Sequence, residues 1–346
     1  MQTPVFAILA LAVAAAVFVA ARLIGNDYVF FAGYPVLQFV VLATAWNILG
    51  GYCGYVNFGT AAFFALGAYS TVALQKFPAF AAAYFSEPAS AVVNAVFPLP
   101  LPILIVIGGI IAGIVGFGTG YLTLRLRGIY FAIATLALAV VLQTFVTNWD
   151  YVGGSRGAYI VRPATVPVIG NYIEYLFAIM LLLAVAAITV ARGIEHAQLG
   201  YGFAAIRDDE LAAEATGVPT LRLKLVATTL SGAFMGMAGA PFPFYIGYIE
   251  PASAFNLAYA VNAIAMPMIG GTTSWVGPLL GALLLGTLQQ VATVTISSAV
   301  SLLIVGLLLV GFVVVAPNGI IGLFQRFVRR KEPGATAPQR TEAKPS

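Results

Sequence analysis

Charged residues are scarce in this chain, and their number indicates whether water or a lipid bilayer surrounds it. Only 8% of the 346 residues are charged, while 61% are hydrophobic. A soluble domain carries about 25% charged residues. Apolar runs of about 20 residues, long enough to cross roughly 30 Å of hydrocarbon, recur as far as Pro317. The composition excludes an ordinary soluble protein and predicts an all-α bundle of transmembrane helices.

Cysteine and histidine are nearly absent, which excludes several chemistries. The single cysteine, Cys53, cannot form an intrachain disulfide, and no cysteine or histidine cluster surrounds it. The single histidine, His196, lies in a charged stretch, which is typical of a solvated surface residue. We therefore expect no metal, no cofactor and no catalytic residue. The net charge of +4 requires no nucleic-acid partner, because basic residues in short loops orient membrane proteins.

Ionisable residues are also missing from the middle of every apolar segment. A charge at mid-bilayer costs about 2.5–3.5 kcal/mol on insertion scales, so one is usually retained for proton coupling, ion binding or voltage sensing. Its absence disfavours a proton-coupled carrier and an enzyme with intramembrane carboxylates, while sodium coupling through backbone carbonyls stays open. The chain has no Gly-x-x-x-x-Gly-Lys-Ser/Thr phosphate loop, so any ATPase that drives it must be another polypeptide.

Ten apolar segments are present, and glycines leave the number of crossings open. They lie at about 4–24, 35–50, 58–75, 102–124, 129–148, 171–191, 222–245, 256–270, 276–292 and 298–316. Glycines interrupt the chain at Gly50-Gly51 and at Gly270-Gly271, which predicts broken or re-entrant helices. Eight to ten spans fit equally well, because a re-entrant pair removes two crossings and keeps the parity.

Small residues recur at four-residue spacing within several segments. The pairs are Gly109 and Gly113, Gly116 and Gly120, Gly232 and Gly236, and Gly277 and Gly281. Such spacing lets two helix backbones approach closely. We therefore predict helix contacts at these glycines.

Basic residues are distributed unevenly between the two sides of the predicted membrane domain. With the N-terminus in the cytoplasm, 12 of the 16 basic residues fall inside and 4 outside, in agreement with the bias that orients membrane proteins. Both termini are therefore predicted to be cytoplasmic. The first segment is expected to be a retained anchor, because no basic residue precedes it. We expect a transmembrane domain at residues 1–325 and a disordered cytoplasmic tail at 326–346.

The longest predicted inside loop, at about 192–221, contains signals for one short helix. Asp208 is a suitable N-cap, and Asp209 and Glu210 would lie in the first turn. Gly217 suits the end of this helix, and Pro219 blocks its continuation. A helix of about eight residues is marginal in water, so we expect it to dock on its own protein or on a partner.

This loop resembles the coupling segment of ATP-binding-cassette (ABC) importer permeases, whose motif is Glu-Ala-Ala-x-x-x-Gly. Ala212, Ala213 and Gly217 match, while Leu211 stands at the glutamate position and the acid is displaced to Glu210. The longer string Ala-Ile-Arg207-Asp-Asp-Glu210-x-Ala-Ala-Glu214-Ala-x-Gly217 is similar to the permeases of branched-chain amino acid importers, in particular the longer LivM-type subunit. Stretches at 51–69, 124–131, 148–157, 269–282 and 317–322 also resemble that family, which commonly has histidine where this chain has Thr60.

The resemblance implies a non-catalytic permease subunit of the bacterial inner membrane. It would form half of a translocation pathway for branched-chain amino acids or related small amphipathic solutes, with urea, short amides and aromatic acids as competing solutes. The implied partners are two ABC ATP-binding subunits, a paralogous permease subunit and a periplasmic solute-binding protein. The implied coupling residues are Arg207, Asp208, Asp209, Glu210, Ala212, Ala213, Glu214 and Gly217.

The glycine-broken segments are the predicted lining of the solute path. Non-helical backbone at membrane depth is tolerated only where it is buried in protein or lines a cavity. The candidate residues are Asn57, Phe58, Thr60, Phe63, Tyr69, Thr272, Thr273 and Trp275. Tight interfacial turns are the alternative interpretation. An ion-coupled carrier that works alone is the chief alternative function, and a membrane scaffold or enzyme is a third.

Overall fold

Long helices make up most of the chain in the computed structural model, which describes residues 3–123, 126, 128–162, 165–166, 170–295, 303, 306–307, 310–311 and 319–322. The predicted all-α fold is confirmed. The helices are α1 (Thr3–Ile24), α2 (Asp27–Asn47), α3 (Thr60–Tyr84), α4 (Glu87–Val96), α5 (Leu101–Thr123), α6 (Ile129–Thr147), α7 (Tyr172–Glu195), α8 (Gln198–Asp208), α9 (Glu210–Ala215), α10 (Thr220–Gly239), α11 (Phe242–Ile246), α12 (Pro251–Ala254), α13 (Leu257–Gly270) and α14 (Val276–Thr295).

Shorter elements extend or connect these helices. A wide π-helical turn, Ile48–Tyr52, continues α2, and 3-10 turns lie at Asp150–Val152 and Gly154–Arg156. The strands are β1 (Ala158–Tyr159), β2 (Thr165–Val166), β3 (Gly170–Asn171) and β4 (Tyr248–Ile249). Strand β1 pairs antiparallel with β4, with Ala158 opposite Ile249, and β2 pairs with β3, with Thr165 opposite Asn171. The β1–β4 pair joins the α6–α7 connection to the chain that follows α11.

Eight helical stretches among the described residues are long and apolar enough to cross a membrane. They are Thr3–Ile24, Asp27–Tyr52, Leu101–Thr123, Ile129–Thr147, Tyr172–Glu195, Thr220–Ile246, Pro251–Gly270 and Val276–Val294. Helix α3 is also long, at 25 residues, but the polar Gln75 and Lys76 lie in its second half. The predicted tenth segment, 298–316, lies largely outside the described residues, as do the tail at 326–346 and the basic residues Arg125 and Arg127.

Two helices differ in length from the apolar segments that predicted them. Helix α2 begins at Asp27 rather than near residue 35, because the Asn26 side chain caps it by accepting the Tyr28 N–H at 2.9 Å. Helix α3 continues past residue 75 to Tyr84. Hydropathy marks the apolar part of a helix, whereas caps and breakers decide where its hydrogen bonds begin and end.

The bundle has two ends, which we name by their contents. The α8–α9 end contains α8, α9, the last turn of α7 and the first turn of α10. The strand end contains the four strands. The start of α1 lies at the α8–α9 end, where Thr3 neighbours Gly193. Gly319 lies there too, against the backbone of Gly271. The beginning of the described chain and its last described stretch are therefore at the same end.

Helix α2 is central to the bundle, since it packs against α7, α10, α13 and α14. Its residues from Val40 to Asn47 are almost completely buried, as are Ile48 and Leu49 of the π-helical turn. Helices α1, α5 and α6 instead expose large apolar side chains, among them Ile8, Ile114 and Phe145. Apolar surface of this extent is typical of a protein whose outer solvent is lipid.

Glycines allow the closest helix contacts, as the four-residue spacing predicted. A Cβ atom at Gly109 would lie 2.6 Å from Met237, and one at Gly236 would lie 2.6 Å from the Gly108 carbonyl oxygen. A Cβ at Gly281 would lie 1.8 Å from the Met266 carbonyl oxygen. Helix α10 is therefore held against α5, and α14 against α13, at separations that a larger residue would prevent.

Candidate functional site

The segment between α7 and α10 forms two helices: α9 is the short helix that the sequence predicted, and α8 was not predicted. Helix α8 runs from Gln198 to Asp208 and is fixed by Phe203 and Ile206, which are both buried. Asp208 is the last residue of α8 and not the N-cap of the next helix. Asp209 takes that role, with an extended backbone and a carboxylate that accepts the N–H groups of Leu211 at 2.9 Å and Ala212 at 3.1 Å.

Helix α9 is six residues long and ends as the sequence predicted. Gly217, two residues past its last residue, has φ +88°, a conformation that strains any residue with a side chain. The Gly217 N–H donates to the Glu214 carbonyl, and the Val218 N–H donates to the Ala213 carbonyl, each at 3.0 Å. This is a Schellman motif, which satisfies the last carbonyls of a helix. Both ends of α9 are therefore fixed by local hydrogen bonds.

The inner face of α9 is docked on its own chain. Ala213 is buried, and the Glu214 carboxylate accepts the Thr220 hydroxyl at 2.8 Å. The Glu210 carboxylate accepts a hydrogen bond from Lys224 Nζ at 2.6 Å and another from the Tyr55 hydroxyl. These contacts attach α9 to the first turns of α10 and to the connection between α2 and α3.

The outer face of α9 is exposed at the tip of the bundle. Leu211, Ala212 and Ala215 are all exposed, and Leu211 has 63% of its surface accessible. Arg207 and Asp208, at the end of α8, form an ion pair of 3.3 Å in which the Asp208 side chain is largely exposed. The docked side is thus mainly polar, and the free side presents small residues and one large apolar side chain.

Lys224 and Tyr55 are members of this site that sequence reasoning missed. Lys224 lies at the start of the apolar segment predicted at 222–245, and its side chain is only 3% exposed. Its Nζ lies 3.3 Å from the Tyr55 hydroxyl oxygen and 4.9 Å from the centre of the Tyr55 ring. The one available signal was a lysine within the first two turns of an apolar span, where a partner of opposite charge is needed.

Glu195, the last residue of α7, forms a second polar junction at the same end. Its Oε2 accepts the backbone N–H of Trp275 at 2.9 Å and faces the Tyr52 hydroxyl at 3.5 Å. The Trp275 ring packs edge-on against Phe6, and the Arg192 guanidinium lies 4.1 Å above the Phe6 ring. This junction connects α1 and α7 to the end of α2 and to the α13–α14 connection.

The two glycine-broken segments meet at the α8–α9 end. Gly51 packs so tightly on the backbone of Thr272 that a Cβ there would lie 2.6 Å from the Thr272 carbonyl oxygen. Each break joins two successive helices, α2 to α3 and α13 to α14. Thr272 is half-buried and Thr273 exposed, while Trp275 belongs to the Glu195 junction.

The candidate path residues of the first broken segment lie deeper and are buried. Asn57, Thr60 and Phe63 are at most 2% exposed, and the half-buried Phe58 donates its backbone N–H to the Thr135 hydroxyl on α6 at 3.1 Å. Tyr69 lies further along α3, with its ring 6.4 Å from that of Phe255 near the strand end. The structure therefore groups Asn57 to Phe63 and separates them from Tyr69 and from Thr272 to Trp275.

Three of these buried side chains have polar atoms without a hydrogen-bond partner in the described part of the chain. They are Asn57 Nδ2, the Thr60 hydroxyl and the Tyr69 hydroxyl. A buried polar group without a partner costs about 1–3 kcal/mol. Such groups are compatible with a role that involves water or solute.

Comparison with known proteins identifies the family. The chain is 26% identical over 326 residues to the LivM permease protein of the high-affinity branched-chain amino acid transport system of Escherichia coli K12, covering 87% of this chain and 72% of the relative. It is 23% identical to a probable branched-chain amino acid permease, LivH, of Methanocaldococcus jannaschii (67% of this chain, 76% of the relative). It is 25% identical to LsrC, an autoinducer 2 import permease of Yersinia enterocolitica, over 51% of each chain. No solved structure matches the chain.

These relatives are permease components of transport systems, which are non-catalytic subunits. The long apolar helices and the relatives together show a multi-pass protein of the inner membrane. The sequence model of the family described as the permease component of branched-chain amino acid transport systems matches residues 28–313. The chain therefore belongs to the family of branched-chain amino acid transport permeases.

Proposed function

We propose that this chain is one of two permease subunits of an ABC importer for branched-chain amino acids or related small amphipathic solutes. The observation that carries the proposal is α9, a helix fixed at both ends, docked on α10 through Glu210 and exposed on its outer face. The proposed partners are a paralogous permease, two ATP-binding subunits and a periplasmic solute-binding protein. Half of the solute path belongs to each permease.

The proposed orientation places the α8–α9 end in the cytoplasm. The uneven distribution of basic residues supports it. The start of α1 and Gly319 lie at that same end, so both chain termini would be cytoplasmic. In this scheme residues 1–325 form the permease domain, the segment at about 192–221 faces the ATP-binding subunits, and the tail at 326–346 follows.

The coupling step that we propose is a displacement of α9 by the ATP-binding subunits. Leu211, Ala212 and Ala215 offer a small apolar contact surface, and Arg207 and Asp208 flank it with charge. A partner that pushes a rigid, docked helix moves the elements on which it is docked. Asp209 and Gly217 fix the two ends of α9, and Glu210, Ala213 and Glu214 attach it to the rest of the chain.

The solute is proposed at the level of a chemical class. The LivM relative is a branched-chain amino acid permease, whereas LsrC imports autoinducer 2. Urea, short amides and aromatic acids remain the competing solutes. We propose that Asn57, Phe58, Thr60 and Phe63 contribute to the path, with Tyr69, Thr272, Thr273 and Trp275 nearer to its two ends.

Purification in a mild detergent tests the proposal against an ion-coupled carrier. The expected result is that ATP-binding subunits copurify, and that solute uptake into proteoliposomes requires ATP and the binding protein. Replacing the phosphate-loop lysine of the ATP-binding subunits should abolish uptake. A chain that accumulates solute under an ion gradient alone, without nucleotide or partner proteins, contradicts the proposal.

Gly217→Pro tests the coupling role of α9 more directly. Proline cannot adopt the φ of +88° and lacks the N–H that Gly217 donates to Glu214. We expect solute-stimulated ATP hydrolysis to be lost while membrane insertion is retained. Gly25→Pro is the matched control, because Gly25 has φ +66°, donates to the Arg22 carbonyl and lies at the strand end. Equal effects of the two variants argue against a specific role for α9.

A further inference from the structure

We propose that Lys224 is a positioning residue, through which a displacement of α9 is transmitted to α10 and to the α2–α3 connection. The inference rests on the proposed function and adds to it the side chains that transmit the movement. Lys224 lies in α10, Glu210 in α9 and Tyr55 between α2 and α3. We call these three residues the Lys224 node.

Every pair within the Lys224 node is in direct contact. Lys224 Nζ lies 2.6 Å from Glu210 Oε1 and 3.3 Å from the Tyr55 hydroxyl oxygen. The other carboxylate oxygen of Glu210 accepts the Tyr55 O–H. The ammonium also lies 4.9 Å from the Tyr55 ring centre, within the range of a cation–π interaction. Three separate elements are therefore joined through mutual polar contacts.

Burial makes this attachment difficult to release. The Lys224 side chain is 3% exposed and that of Glu210 is 13% exposed, so the pair is largely removed from water. Separating a buried pair leaves an uncompensated charge, which is strongly unfavourable. The Arg207–Asp208 pair has side chains that are 33% and 73% exposed, so water can solvate both charges when they separate. Helix α9 therefore moves with Lys224 rather than away from it.

From the Lys224 node, packed contacts continue toward the candidate path residues. The Tyr55 ring packs edge-on against Phe131 of α6 at 5.1 Å between ring centres. Two residues after Tyr55, the Asn57 carbonyl accepts Trp46 Nε1 at 2.9 Å. A shift of Tyr55 therefore displaces the start of α3, which contains Thr60 and Phe63. The Lys224 node lies between the surface that meets the ATPase and the segment proposed to meet the solute.

The test uses the reconstituted complex with both permeases, the ATP-binding subunits and the solute-loaded binding protein. The variants are Glu210→Gln, Lys224→Met, Lys224→Arg and the exchange Glu210→Lys with Lys224→Glu. For the two neutralising variants we expect an unchanged KM for ATP and a solute-stimulated kcat lowered by roughly tenfold, within the range that residues on a coupling path produce. Lys224→Arg and the exchange variant should recover most of the stimulation, because both restore a buried pair.

Glu174→Gln is the matched control. Glu174 also forms an ion pair, with Arg22 at 3.7 Å, and its side chain is likewise 13% exposed, but it lies at the strand end. It should leave the solute-stimulated kcat unchanged. If Glu174→Gln lowers kcat as much as Glu210→Gln does, the effect is general destabilisation and the inference is overturned.

Several further results would also overturn the inference. One is wild-type stimulation in Glu210→Gln and Lys224→Met. Another is an exchange variant that unfolds at the wild-type Tm but recovers no stimulation. If the single variants fail to fold, the exchange variant is tested alone. An exchange variant that folds but recovers no solute-stimulated ATP hydrolysis then overturns the inference. Failure of the proposed function can be distinguished from failure of this inference alone. In the first case the wild-type chain transports solute without ATP-binding subunits, and both the proposed function and the role of the Lys224 node are contradicted.

Discussion

The contact between α3 and α10 at Gly67 allows a quantitative prediction. A Cβ at Gly67 would lie 1.9 Å from the Gly236 carbonyl oxygen and 2.6 Å from its carbonyl carbon. Both atoms are backbone, so no side chain can rotate away. Ordinary van der Waals contact begins at 3.4 Å, and the difference, 3.4 − 1.9, requires the helices to separate by about 1.5 Å. Gly67→Ala should therefore destabilise the bundle by about 1–3 kcal/mol, the usual cost of overpacking.

Gly118→Ala is the matched control for this prediction. Gly118 is a helical glycine of α5, and a Cβ added there would meet no atom within 4 Å. Alanine favours the helix by up to about 1 kcal/mol relative to glycine. Both variants gain this term, so it cancels when the two are compared. The difference between them measures the helix contact.

Thermal unfolding of the purified protein in one detergent is the assay. Each kcal/mol lowers Tm by about 2–4 °C in a domain of 150–250 residues, and by less in a longer chain. We therefore expect Gly67→Ala to unfold several degrees below Gly118→Ala. A Gly67→Ala variant that unfolds at or above the temperature of Gly118→Ala refutes the close α3–α10 contact.

Three further predictions concern the α8–α9 end and the solute path. Asp209→Ala should lower solute-stimulated ATP hydrolysis, because an N-cap contributes about 1 kcal/mol to its helix. Asn26→Ala, which removes the N-cap of α2 at the strand end, should not, and equal effects of the two variants contradict a specific role for the Asp209 cap. Glu195→Leu should lower Tm more than Glu195→Gln, since glutamine still offers an acceptor to the Trp275 N–H; identical Tm values exclude this junction. Cysteines at the eight candidate path positions, in a Cys53→Ser background, should react with a membrane-impermeant thiol reagent in a manner that depends on ATP, and labelling that ignores the transport state counts against the path.

The transmembrane helices could be predicted from sequence because the bilayer fixes the length of an apolar span. The ends of α9 were partly predictable, since Gly217 marks a stop whatever the surroundings. Helix α8 was missed because its 11 residues include few that are strongly apolar, and its stability comes from burying Phe203 and Ile206. Tertiary packing, rather than local propensity, stabilises a helix of this length.

The Lys224 node could not be predicted because its members are distant in sequence. Tyr55 lies 155 residues before Glu210, and Lys224 lies 14 residues after it. The chain between Tyr55 and Glu210 passes through several helices, and α9 ends and α10 begins between Glu210 and Lys224, so no local pattern connects the three. The same holds for glycines, whose spacing predicted helix contacts but not the partner at each contact, such as Gly236 for Gly67.

The contact between Gly67 and Gly236 also limits how α10 can rotate. Lys224 lies 12 residues before Gly236, and Gly239, the last residue of α10, lies 3 residues after it. At 1.5 Å per residue these arms are about 18 Å and 4.5 Å. A rigid α10 that rotates about this crossing therefore swings Lys224 through an arc about four times wider than that of Gly239. A large displacement at the Lys224 end of α10 therefore produces a displacement at the Gly239 end that is about four times smaller, opposite in direction and correspondingly greater in force.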